Sequence, residues 1–264
     1  MNSPLRAIRK SLRKLNYYLV RFGIESESKI GYELPELVDL VVEKNQVFRK
    51  RLGSGAIEFK EADLRILTYL SFIPDRDPMR ILDFGGGGGN LEALVSHLLP
   101  HRNFTWKVVE TESLARAAQN TLQKENIEWI TEIPKPETLK VKFDIAIASS
   151  SIQYTNNPAD TLNQIISLKP SYIILNRTPL LGSEKMQQRY IQQSWLSSNG
   201  PGEMPKRFVN KLVKYPICIP RMTEIEALFS ENYKIVVKLC EGDVQLRGIP
   251  QTLQYYGYVA ILIE

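Results

Sequence analysis

Two carboxylates and a run of five glycines carry most of the chemistry legible in this chain. Ile81, Leu82, Asp83 and Phe84 form a short apolar run containing an acid, Gly85 to Gly89 follow, and Asn90 opens a segment of helical period. Glycines there let the backbone take positive φ and let a ligand approach without a Cβ in the way. The helix beyond offers unpaired N–H groups and the positive end of its dipole. Such a turn holds the polar part of a nucleoside cofactor at the carboxyl edge of a sheet. Glu110 closes the next predicted strand, Trp106–Glu110, where a carboxylate can accept hydrogen bonds from both ribose hydroxyls. The plainer readings are a tight turn and an exposed strand end. Strand, glycines, helix, strand and acid in this order are more specific than either piece alone.

Spacing separates the cofactor classes that use such a turn. A dinucleotide fingerprint started at Gly85 needs glycine or alanine at position 90, which is Asn90. The pattern acid-x-Gly-x-Gly-x-Gly is met by Asp83, Gly85, Gly87 and Gly89. A carboxylate at position 83 would repel a pyrophosphate but suits a cofactor carrying an ammonium and a sulfonium. The expected cofactor is S-adenosylmethionine, held by Asp83, Gly85, Gly86, Gly87, Gly89, Asn90, Glu110 and Ser149.

Methyl transfer from a sulfonium requires alignment above all, and a hydroxyl acceptor adds the need for a base. His97 and His101 fall at or beyond the far end of the helix after the glycines, so they are expected in solvent, away from the site. The catalytic candidates follow the fourth and fifth strands: Gln153 to orient an acceptor hydroxyl, Tyr154 to stack or accept a proton, and Arg177 to clamp a carboxylate or phosphate. The plainer readings are a polar loop capping the next helix and a structural ion pair. No metal site is expected.

The elements that must position these residues can be read from periodicity. Residues 1–78 form an N-terminal helical region, broken at Gly53–Ser54–Gly55. Leu34, Leu37, Val38, Val41 and Phe48 repeat with helical period, as do Leu64, Leu67 and Leu70. Residues 79–264 alternate strand and helix, the pattern of a parallel sheet covered by helices. Tyr233–Leu239 and Tyr256–Ile263 are two strands joined without a helix, so they should pair antiparallel. The expected fold is α/β, a Rossmann-like seven-stranded methyltransferase fold, mostly parallel with an antiparallel final strand. Ser183–Trp195 is expected as a mostly polar helix, and residues 183–205 as a lid over the active edge.

The phrases ILDFGGGGGN, VVETESLARAAQ, SSSIQYTNNP and YIILNRTPL resemble a group of methyltransferases found in bacterial surface-polysaccharide (O-antigen and capsule) gene clusters. The resemblance is good over roughly residues 79–180 and looser at the ends. It implies S-adenosylmethionine and a sugar or glycan-precursor acceptor, the latter resting on the resemblance alone. Two rival readings are an NAD(P)-dependent oxidoreductase, opposed by Asn90 and the missing Tyr-x-x-x-Lys, and a non-catalytic assembly partner.

Composition sets the outer bounds. No apolar run approaches the roughly 18 residues that span a bilayer. Cys218 and Cys240 form no CxxC pair, which fits a reducing, cytoplasmic compartment. The net charge is +5, and residues 1–24 hold six basic residues and no acid. With Leu5, Ile8, Leu12, Leu15, Leu19 and Phe22 on one side, that segment reads as a basic helix packed on its own domain. The alternative is a peripheral contact with an anionic membrane's inner face or with a partner. No nucleic-acid motif accompanies the charge, and the oligomeric state is not legible.

Overall fold

The computed structural model describes residues 31–55, 60–182 and 187–263. The basic segment over residues 1–24 lies outside them. The helical periods of the N-terminal region form Pro35–Leu52 (α1) and Glu61–Phe72 (α2). Pro35 stands at the first helical position, where its missing N–H costs nothing, and Arg49, Lys50 and Arg51 complement the dipole at the far end.

Strand and helix then alternate: Met79–Phe84 (β1), Asn90–Leu98 (α3), Phe104–Val109 (β2), Glu112–Leu122 (α4) and Ile127–Ile130 (β3). Ile145–Ser149 (β4), Pro158–Ser167 (α5) and Tyr172–Leu180 (β5) continue the pattern. The chain ends in Gln188–Trp195 (β6), Leu212–Ile219 (β7), Met222–Phe229 (α6), Tyr233–Val244 (β8) and Leu253–Leu262 (β9). Seven strands share one sheet in the order β3-β2-β1-β4-β5-β9-β8. The first five are parallel and β9 runs antiparallel to both β5 and β8. This is the seven-stranded Rossmann-like topology expected from the sequence.

Both faces of the sheet are covered, which is why β1 and β4 are almost continuously buried. On one face Leu37 and Leu40 of α1, Ile66 and Leu70 of α2, and Val95 of α3 form a single core with Ile81, Val108 and Ile147. On the other, Leu162 and Ile165 of α5 and Ile225 and Phe229 of α6 meet Leu82, Ala146 and Tyr258. The N-terminal helices thus share the sheet's own core. His97 and His101 are exposed, as expected. Among the described residues no helix is long and apolar enough to cross a membrane.

The helix expected over Ser183–Trp195 is a correction: of this stretch, Gln188–Trp195 is a strand, paired antiparallel with β7 in a separate two-stranded sheet. Tyr190, Ile191 and Trp195 are spaced ambiguously between the two periods. The partner decides: Val213, Tyr215 and Ile217 alternate strictly with exposed Leu212, Lys214 and Pro216. A partner strand that begins only at Leu212 is invisible to a scan for local period.

Candidate active site

The parallel strands end around one cavity of about 620 Å³, within the range of roughly 300–1,000 Å³ that suits small-molecule ligands. Asp83 and the glycine loop enter it from β1, Glu110 and Thr111 from β2, Ser149 to Ser151 from β4, and Arg177 from β5.

The glycine loop is fixed from behind. Trp129 Nε1 donates to the Gly87 carbonyl at 2.9 Å, and Arg49 Nη2 donates to the Gly89 carbonyl at 2.9 Å. Arg49 is itself held by the fully buried Glu92 at 2.7 Å. Three of the loop's amides are engaged as well: Gly85 N–H donates to the Val109 carbonyl at 2.9 Å, Gly89 N–H to the Gly86 carbonyl at 3.0 Å, and Gly87 N–H to Glu110. Gly86 has no alternative residue, because a Cβ there would collide with the Asp83 carboxylate. Gly87 has open space beside it but takes φ +60°, a conformation that L side chains rarely adopt.

Of the expected cofactor residues, Asp83, Gly85, Gly86, Gly87, Asn90, Glu110 and Ser149 line the cavity. Gly89 does not. It forms the N-cap of α3 and lies behind the loop, where a Cβ would strike Ile127. Its requirement for glycine is therefore one of turn geometry and packing.

Asp83 is 2% exposed, and its Oδ2 has no hydrogen-bond partner. Burial, with smaller repulsions from Glu110 and Asp63, pushes its carboxyl up to about 7. Glu110 lies one residue beyond β2. Its Oε1 accepts the Gly87 N–H at 2.8 Å and its Oε2 the Thr111 N–H at 3.1 Å. Burial raises this carboxyl too, and the two amides partly offset the effect.

The other half of the cavity differs from expectation at Gln153. That side chain is fully buried in the turn Ile152–Tyr154, donates to Ser150 Oγ at 3.2 Å, and does not line the cavity. The short 3-10 turn after β4 directs it inward and its neighbour Tyr154 outward. Tyr154 does line the cavity, and its hydroxyl donates to Gln192 of β6 at 2.9 Å. Burial pushes this phenol up to about 12, so at neutral pH it stays protonated and is a poor proton acceptor. Arg177 lines the cavity with its guanidinium 5.3 Å from the ring centre of Tyr255.

Sequence reasoning did not find several lining residues: Tyr32, Asn45, Lys60, Asp63, Tyr215 and Tyr255. Tyr32 and Tyr215 pack at 4.8 Å between ring centres, and Tyr154 stands 5.3 Å from Tyr32, giving a wall of three tyrosines. Each comes from a different element, so no local motif joins them. Asp63 follows Ala62, whose carbonyl is held by Asn176 Nδ2 at 3.1 Å; this sets the start of α2 over the ends of β4 and β5. Burial raises the Asp63 carboxyl, and Lys60 and Arg177 oppose that rise.

The hairpin and the β8–β9 loop close the cavity's outer side. Gln192, Ser194, Ser198, Asn199, Gly200 and Leu246 all line it. The turn after β6 is anchored to α1: Lys44, 1% exposed, donates to the carbonyls of Ser197 at 2.9 Å and Asn199 at 2.7 Å. Among the described residues no group of side chains is arranged to hold a metal ion.

A Rossmann-like sheet of this strand order, with an acid and a glycine loop ending β1 and an acid after β2, is an arrangement that holds a nucleoside cofactor at its strand ends. A family profile described as a methyltransferase domain matches residues 58–212, more than half of the chain, and the chain belongs to that family. A comparison with curated proteins found no match. Among solved structures, the chain is similar to an S-adenosylmethionine-dependent methyltransferase from Clostridium acetobutylicum. Identity there is 13%, with 84% of this chain and 99% of the other covered and a TM-score of 0.47. It is also similar to magnesium protoporphyrin IX methyltransferase from Synechocystis with bound S-adenosylhomocysteine. Here identity is 13%, coverage 86% and 99%, and the TM-score 0.45.

Proposed function

We propose that this protein is an S-adenosylmethionine-dependent methyltransferase acting on a polar small molecule, a sugar or glycan precursor being the class the sequence resemblance favours. The observation that carries the cofactor reading is Asp83: a buried carboxylate with an unpartnered oxygen, lining the cavity beside the glycine loop. An unpaired buried charge is costly, and an ammonium group is the partner that would offset it. Glu110, already oriented by the Gly87 and Thr111 amides, retains acceptor capacity for a ribose diol. Asn90 and Ser149 complete the nucleoside side, while Tyr154 and Arg177 face the acceptor side.

When bound, the cofactor supplies an electrophilic methyl group on sulfur. The chain's own contribution is alignment, which can remove about 7–11 kcal/mol of barrier, and exclusion of water. We assign the role of cover to the β6–β7 hairpin and its turn over residues 197–200, whose Gln192, Ser194, Ser198, Asn199 and Gly200 line the cavity. The setting we favour is the cytoplasm, where surface-glycan precursors are assembled.

Isothermal titration tests the reading: S-adenosylhomocysteine should bind with about micromolar affinity and NADH should give no heat of binding. Binding of NADH without S-adenosylhomocysteine would sink it.

A further inference from the structure

Arg177 has an unusual backbone for a non-glycine residue. It sits at φ +51°, at the point where the register of β5 against β9 shifts between Leu175 and Thr178. An L-residue in the left-handed region is strained, and it persists only where its surroundings hold it. Here they do. Glu241 Oε1 accepts the Arg177 backbone N–H at 3.0 Å, while Glu241 Oε2 pairs with Arg65 at 2.6 Å. The carboxylate best placed to neutralise Arg177 therefore binds its amide and a different arginine. The guanidinium is left with Tyr255, 5.3 Å from its ring centre and hydrogen-bonded to its hydroxyl, in the cavity.

Lys60 lines the same cavity. Asp63 is near enough to be influenced by both cations, yet no carboxylate lies within ion-pair distance of either among the described residues. Arg177 is partly buried and held in a strained backbone, and the exposed Lys60 adds a second positive charge to the same cavity.

We propose that Arg177 and Lys60 form a subsite for an anionic group, a phosphate or a carboxylate, carried by the acceptor. This deepens the methyltransferase reading, on which it rests, by naming the acceptor as a charged one. The planar fork of Arg177 gives the directional contact and Lys60 a point charge. Tyr32, Tyr154 and Tyr215 then offer ring faces to the uncharged remainder of the molecule. Asp63 opposes the anion, so its removal strengthens the subsite, a sign that a merely structural role for these residues does not produce.

The test is titration of the full chain with inorganic phosphate and, in a second arm, with glucuronate, each with and without S-adenosylhomocysteine. Expected is anion binding in the millimolar range, with the tighter arm identifying the group. Arg177→Gln should weaken it about tenfold or more and Arg177→Lys by less, because an ammonium cannot form the two-pronged contact. Lys60→Gln should weaken it about threefold and Asp63→Asn should tighten it by a similar factor. Silent titrations in both arms, or anion affinity indifferent to all four substitutions in folded protein, would overturn the subsite. S-adenosylhomocysteine affinity should stay within about twofold in the Arg177 and Lys60 variants. Its failure to bind the wild type would strike the cofactor reading instead, since the anion titrations are also run without it.

Discussion

Burial holds the Asp83 carboxyl near 7, so the folded protein keeps a proton there that the unfolded chain loses near 4. Between those values the folded state binds more protons, and this group's contribution makes stability fall as pH rises from about 4 to about 7. Above 7 the whole cost is present. Asp83→Asn should therefore stabilise the unliganded protein at pH 8 by an amount on the order of 2–4 kcal/mol, and by much less at pH 4. The same substitution should weaken S-adenosylhomocysteine binding. Urea denaturation at the two pH values checks the first half, and an equal effect at both would refute it. Ligand binding should also release a proton near pH 6, seen as a binding heat that depends on the buffer's ionisation enthalpy. Glu110 is the complementary case. Glu110→Ala removes hydrogen bonds worth about 1.5–3 kcal/mol each and should lower cofactor affinity at least tenfold. Glu110→Gln, which keeps the shape, should lose less. Unchanged affinity in folded Glu110→Ala would leave Glu110 as an acid that only braces the loop.

At the scale of elements, the glycine loop depends on what stands behind it. Trp129→Phe keeps an aromatic ring at this position of β3 but removes the donor to the Gly87 carbonyl. Loss of one such bond is worth about 1 kcal/mol, so cofactor affinity should fall roughly fivefold. Calorimetry on the folded variant decides; an unaltered dissociation constant would mean the loop holds its shape unaided. How much of this was legible varies by element. The acids, the glycines and the sheet could be read because each lies within a few residues of its motif. Arg49 and Trp129 could not, since they reach the loop from α1 and β3, and nothing local marks a side chain that tethers a carbonyl far along the chain. The hairpin was misread for a related reason, because its strand character is fixed by the register Tyr190–Ile217 and Gln192–Tyr215. Gln153 and Tyr154 show the limit at finer grain: the sequence placed both after β4, but only the turn's geometry decides which one faces the cavity.

At the scale of the molecule, α1 joins parts that the sequence keeps apart. Lys44 holds the turn after β6, Asn45 abuts Gly88, and Arg49 holds the carbonyls of Gly88 and Gly89. Burial, with a lesser push from Lys60, lowers the Lys44 ammonium to about 8. The unfolded chain then binds more protons between about 8 and 10.5, and this lysine makes stability rise with pH across that window. Lys44→Met should remove that slope while leaving the Ser197 and Asn199 carbonyls without their donor. Denaturation curves at pH 7.5 and 10 compare the two proteins, and identical pH dependence would exclude the assignment. The three residues stand within two turns of one rigid helix, so whatever stiffens the glycine loop also steadies the cover. Occupants of the two halves should consequently favour each other, and equilibrium reciprocity makes the gain equal in both directions. S-adenosylhomocysteine should bind more tightly at saturating phosphate, phosphate more tightly at saturating S-adenosylhomocysteine, and by the same factor. In Lys44→Met, where the helix no longer grips the turn, that mutual enhancement should disappear even if each ligand still binds alone.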